Sequence, residues 1–203
     1  VGIDTVREPV PLSLTILDPE RLPVAVAADP SPVGVSGEPT VVGRPGPRYT
    51  YHYFWPNGTR LTLSGERDGE YRVRLTETLS AWVAADAVRL LPPGSPPATG
   101  RVGTVRLSPT PISADVRVSM AERLPFQVEV DGRTVRLTIY GGIADTGWLQ
   151  YGPEDPLVER VEWSRPADEE YRLTLHLRRQ PWGYLARWAE NGDLVLRIRR
   201  PPE

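Results

Sequence analysis

The sequence predicts an all-β chain, and three observations predict it. Its dominant hydrophobic period is two, the period of strands with one buried face. It carries 23 prolines and 18 glycines in 203 residues, about one position in five, spread so that no long helix survives. Turn dipeptides also recur between the alternating runs. Asn57-Gly58, Asp68-Gly69, Asp131-Gly132 and Asn191-Gly192 are each strong hairpin signals.

The elements follow in order. Val10, Leu12, Leu14 and Ile16 alternate with Pro11, Ser13, Thr15 and Leu17, and Asp18-Pro19-Glu20 turns the chain into a return strand over Pro23–Ala28. A loop rich in Pro, Gly and Ser runs from Asp29 to Pro39. Thr40–Gly43 and Tyr49–Phe54 read as strands on either side of Arg44-Pro45-Gly46-Pro47. Thr59–Ser64 and Tyr71–Leu75 flank the Asp68-Gly69 turn, and Ala81–Ala84 and Ala87–Leu91 complete the first half.

Leu91–Gly100 holds four prolines in ten residues and can form neither a central strand nor a helix. It reads as a semi-rigid polyproline II linker. It divides the chain into an N-terminal β segment over residues 1–40, a small domain over 41–92, a linker over 93–101 and a second β domain over 102–200.

The second domain alternates more cleanly. Val102–Leu107 and Val116–Ser119 are short strands, and Met120–Leu124 leaves room for a short helical turn. Phe126, Val128 and Val130 oppose Gln127 and Glu129, and Val135, Leu137 and Ile139 repeat the pattern. Val158–Trp163 is a strand, and Tyr171, Leu173, Leu175 and Leu177 form the next apolar face. Trp182, Tyr184, Ala186 and Trp188 share a face that reads mainly as core, and Leu194, Leu196 and Ile198 close the domain.

Composition narrows the chemistry. The absence of cysteine excludes disulfides, thiolate metal sites and cysteine nucleophiles. The two histidines, His52 and His176, fall in different halves and read as structural or surface residues without visible partners. All 24 basic residues are arginine, against 26 acidic, for a net charge of −2; this balance argues against a nucleic-acid partner. No apolar run approaches the ~20 residues of a membrane span. The chain opens on Val1, which suggests a processed or truncated segment.

Two stretches resemble known families. Val41–Pro47, Gly58-Thr59, Gly69–Leu75 and Ser80-Ala81-Trp82-Val83 follow the motif order of a bacterial SH3-like domain. One position departs: the aromatic expected directly after the hairpin glycine is Glu70, with Tyr71 one place on, and alternation puts that on the opposite face. Gly103-Thr104-Val105-Arg106-Leu107, Arg123–Val128, Asp131-Gly132 and Trp182-Gly183-Tyr184 through Leu194–Pro202 are similar to the AMIN domain of cell-wall amidases. The order of modules resembles the region that precedes the zinc catalytic domain of N-acetylmuramoyl-L-alanine amidases. The resemblance implies an SH3-like small barrel followed by an AMIN-like β-sandwich, joined by the Pro-rich linker. It also implies a periplasmic or extracellular place and a role in holding the amidase at peptidoglycan or another cell-wall polymer. The histidines and general base that the zinc reaction needs do not occur together in this chain, so no catalytic residue, metal ligand or cofactor is assigned to it. An envelope scaffold that binds another protein is the second reading.

Candidate ligand contacts are aromatic. Tyr49, Tyr51, Tyr53 and Trp55 form a run, with Trp82 nearby. They suit either sugar stacking or core packing, and alternation places the three tyrosines on one face. Trp148 and Tyr151 sit beside the Gly152–Pro156 loop, where exposure is expected. Arg172, Arg178, Arg179, Arg197, Arg199 and Arg200 fall on outer faces. They could meet carboxylates or phosphates of a polymer or form a solvated face with Glu and Asp. Glu159, Glu162 and the Asp168-Glu169-Glu170 turn read as solvated carboxylates rather than an acid/base pair.

Overall fold

Alternating apolar residues and tight turns produce eighteen strands and no α-helix among the described residues. The structure is a computed structural model and describes residues 15–17, 22–30, 39–46, 50–150, 152 and 155–201. Of the first expected strand, residues 10–14 lie outside this range, as do Tyr49, Tyr151 and the turn at residues 18–20.

The first half holds β1 (Thr15–Ile16), β2 (Val24–Ala27), β3 (Thr40–Gly43), β4 (Tyr53–Pro56), β5 (Arg60–Arg67), β6 (Glu70–Arg74), β7 (Ser80–Ala84) and β8 (Val88–Leu90). One sheet has the order β7-β6-β5-β2-β8, with β1 paired to β5. The N-terminal segment therefore supplies an interior strand, β2, antiparallel to both β5 and β8. Asp68 and Gly69 both have positive φ (46° and 78°), the backbone that a two-residue hairpin turn with matching twist requires. β3 and β4 form a separate ribbon. A single bridge, with Arg44 N to Trp82 O at 2.9 Å and Trp82 N to Arg44 O at 2.7 Å, ties it to β7.

The expected small barrel does not close. The ribbon stays hydrogen-bonded to the sheet at that bridge and packs β4 against β11 (Phe126–Asp131) of the second half. Trp55 is the anchor: its indole N–H donates to the Phe126 carbonyl at 2.7 Å. That carbonyl belongs to an edge strand and would otherwise lack a partner.

The second half holds β9 (Gly100–Pro109), β10 (Ser113–Met120), β11, β12 (Thr134–Tyr140), β13 (Gly142–Ala144), β14 (Leu149–Gln150), β15 (Val158–Ser164), β16 (Glu170–Leu177), β17 (Gly183–Trp188) and β18 (Leu194–Arg199). They make a sheet of order β13-β9-β10-β18-β17, with β14 also on β9, and a four-stranded sheet of order β11-β12-β16-β15. Register puts like with like. Val116 faces Leu107 and Leu196 across its neighbours, and Leu137 faces Val128 and Leu173. Each sheet thus gathers one apolar face, and these faces share one core. The strands β13 and β14 have no counterpart in the sequence reading. Each is two or three residues long and pairs parallel with the distant β9, a non-local contact that leaves no local period. Met120–Leu124, where the sequence leaves room for a helical turn, forms none; β10 runs to Met120 and irregular backbone follows.

No sheet crosses the Pro-rich segment. That segment is not an extended polyproline spacer. It bends at Pro92–Ser95, where the Ser95 N–H and hydroxyl both donate to the Pro92 carbonyl, and Gly94 has φ 83°. Ala98 is buried and donates its N–H to Thr62 Oγ1 at 2.9 Å. The two halves also meet directly. Trp188 Nε1 donates to Thr59 Oγ1 at 2.9 Å and Arg60 N to Arg123 O at 2.7 Å. Buried residues of both halves belong to a single hydrophobic cluster.

Candidate functional site

The expected aromatic face of the first half does not form. The strand begins only at Tyr53, so Tyr51 stands outside the alternation, 60% exposed, with the Arg44 guanidinium 5.2 Å from its ring centre. Tyr53 and Trp55 are buried and stacked on one another at 5.4 Å, and Trp82 is buried beneath Arg67. Their rings fill core and seam and present no open face to a ligand. Trp148 is 71% exposed, just before β14.

Both histidines have partners. His52 Nε2 lies 2.6 Å from Gln127 Nε2, and the Tyr140 hydroxyl donates to Gln127 Oε1 at 2.7 Å. Burial pushes the Tyr140 phenol far above its ordinary value of 10.0, and the neighbouring Tyr53 adds to the shift. Burial also raises Tyr53, against a lowering hydrogen bond with Tyr140. His176 lies 3.3 Å from Glu162, which also pairs with Arg160 at 2.8 Å. Asp168 pairs with Arg165, Glu169 with Arg74 and Glu170 with Arg172. These carboxylates are held in ion pairs on strand faces and turns.

The concave feature that gathers unpaired chemistry lies at one end of the second half. It is a groove of about 640 Å³ lined by Pro111, Ile112, Pro156, Leu157, Arg179, Trp182, Arg199, Arg200 and Pro201. Backbone bonds fix each wall. Thr110 and Ser113 bond across the β9–β10 turn, N to O at 2.7 Å, which pushes Pro111 and Ile112 outward; Ile112 is 72% exposed. Buried Asp155 takes the N–H groups of Leu157 and Val158 on Oδ1, both at 2.8 Å, and shapes the entry to β15. Arg178 donates its backbone N–H to Leu157 O and Nε to Asp155 O, leaving Arg179 to reach the groove. Trp182 N bonds Arg199 O at 3.0 Å and Arg200 N bonds Ile112 O at 2.9 Å. Four chain segments are thereby locked around one hollow.

Sequence alternation put Trp182 in the core with Trp188. The strand instead starts at Gly183, and Trp182 is 67% exposed with the Arg199 guanidinium 5.6 Å from its ring centre. Trp188, at the other end, is buried. The Gln180-Pro181 pair immediately before Trp182 is the local sign that the strand has not begun. Among the outer-face arginines, Arg197 is committed to Asp115 through two bonds of 2.7 and 2.8 Å, and Arg172 to Glu170. Arg179, Arg199 and Arg200 have no carboxylate partner among the described residues. Ile112, Leu157 and the three prolines of the lining were not legible as site residues, because they meet only through tertiary structure.

Among the described residues no group of three His, Asp or Glu side chains is placed to hold a metal ion, and no helix is long and apolar enough to cross a membrane. No family model, curated protein or solved structure matches the chain.

Proposed function

We propose that this chain is a non-catalytic, cell-wall-targeting region of an exported N-acetylmuramoyl-L-alanine amidase whose zinc domain lies on another segment. The amidase assignment comes from the order of the two motif sets along the sequence. The binding role is carried by one observation: an exposed indole and three guanidiniums without a carboxylate partner among the described residues converge on one groove. An indole offers a flat apolar body against which the C–H face of a pyranose ring stacks. Arginine forks recognise the carboxylates that cell-wall polymers carry. Several weak contacts of this kind raise the local concentration of a tethered enzyme at its polymer.

The test is sedimentation of the purified chain with isolated sacculi. Saturable co-sedimentation that falls with Trp182→Ala supports the proposal. An intact fold by circular dichroism without sedimentation overturns it and favours a protein-binding envelope scaffold.

A further inference from the structure

We infer that the groove selects a saccharide bearing a free carboxylate beside its ring. If the chain targets peptidoglycan as proposed above, that unit is muramic acid whose lactyl carboxylate is no longer joined to a stem peptide.

Charge is the first argument. Arg179, Arg199 and Arg200 line the hollow, and among the described residues no acidic side chain lines it and no carboxylate pairs with any of the three. A neutral sugar would leave these like charges uncompensated as it displaced their water. An anion offsets them and gains charge-assisted hydrogen bonds.

Geometry is the second. The Arg199 guanidinium lies over the Trp182 ring, 5.6 Å from its centre, so that a cation with several N–H donors stands beside the indole. A sugar resting on the exposed part of the indole therefore lies next to a donor group suited to a carboxylate on its ring substituent. Arg200 contributes a further signal. Its Nε is buried without an acceptor among the described residues, an unfavourable state that is relieved if an anion draws the guanidinium into the groove. The volume, about 640 Å³, lies in the range of roughly 300–1,000 Å³ typical of small-molecule sites. It suits one or two sugar rings rather than a folded partner.

The chemistry of the ligand then places the groove in the reaction sequence. Hydrolysis of the bond between muramic acid and the stem peptide breaks a C–N amide bond. Water oxygen joins the acyl carbon, the peptide leaves as an amine, and a carboxylate remains on the sugar. The groove would thus hold the enzyme on glycan that has already been stripped. Exposed Trp182 and Ile112 beside arginines could also meet an anionic lipid surface, but Trp182 here forms the wall of a hollow, which favours a ligand that enters.

The test is calorimetric titration of the full 203-residue chain with a muramic-acid-containing disaccharide. Its lactyl group is either a free carboxylate or a methyl amide, and inorganic phosphate and phosphatidylglycerol vesicles serve as further probes. Sedimentation with intact and peptide-stripped sacculi runs in parallel. The free acid should bind at least about tenfold tighter than the amide, weaken with salt, and lose that preference in Arg199→Gln. Arg199 and Trp182 are exposed, so circular dichroism of each variant should match the parent chain. Equal binding of acid and amide, or equal sedimentation with both kinds of sacculi, overturns the selectivity and leaves the targeting role standing. No binding to any saccharide overturns both. Phosphate that competes as well as the disaccharide, or vesicle binding that exceeds sugar binding, overturns the saccharide assignment.

Discussion

Trp55→Phe tests how the two halves are joined. The indole N–H of Trp55 donates to the Phe126 carbonyl at 2.7 Å in a fully buried seam. Phenylalanine keeps an aromatic ring there but leaves that carbonyl without a donor, at a cost of about 1–3 kcal/mol. The side chain is also smaller by roughly 40 Å³, and at ~24 cal/mol per Å³ of residual cavity this adds about 1 kcal/mol. The total is about 3 kcal/mol, which for a chain of this size lowers Tm by about 6–12 °C. The bond links β4 of the first half to the edge of a sheet in the second. The loss should therefore appear in both halves as one displaced transition. The assay is urea and thermal unfolding followed by far-ultraviolet circular dichroism and tryptophan fluorescence. Trp148→Phe serves as the exposed control, expected within about 0.5 kcal/mol of the parent. A cost below about 1 kcal/mol for Trp55→Phe, or two transitions of which only one moves, would refute a shared seam.

Two further predictions concern stability. At Gly141 φ is +74° and a Cβ would run into the Ala98 carbonyl oxygen, whereas Gly69, at φ +78°, has open space around it. Gly69→Ala should cost about 1–2 kcal/mol for the left-handed backbone alone, and Gly141→Ala about 1–3 kcal/mol more for the collision; equal urea midpoints would contradict this. The hydrogen bonds from Arg197 hold the Asp115 carboxyl below its ordinary 3.8, and the charges of Arg197, Arg187 and Arg117 act in the same direction. A depressed carboxyl contributes stability that is full above about 3.8 and lost as pH falls through its folded value. Asp115→Asn should therefore destabilise the chain at pH 7, with a gap from the parent that begins to narrow once the pH falls below about 3.8, and a gap in urea midpoint that does not narrow on further acidification would sink the assignment.

Much of the strand content was legible because it is local. The faces of β12 and β16 follow from the alternation of Val135, Leu137 and Ile139 and of Tyr171, Leu173, Leu175 and Leu177, which register then sets opposite one another. The Asp68-Gly69 turn was legible for the same reason, since its two positive φ values suit those residue types. The candidate site was far less so. Tyr53 and Trp55 share an alternating face, yet that face meets β11 and not solvent. Trp182 and Trp188 lie six residues apart in one alternating run, and only one of them is covered. Periodicity assigns a side but says nothing of how far the opposing layer extends along it.

The sequence by itself determined an all-β chain, most of its strands and turns, and a Pro-rich segment that no sheet crosses. Each depends on backbone preferences and a pleat that act within a few residues. Only the tertiary structure decided that the first half forms no closed barrel, that Trp55 and Trp188 seal the seam between halves, and that Ile112, Arg179, Trp182, Arg199 and Arg200 surround one groove. Those outcomes depend on which distant segments cover which faces. Burial and convergence of that kind are set by contacts between residues far apart in the chain, and no local pattern encodes them.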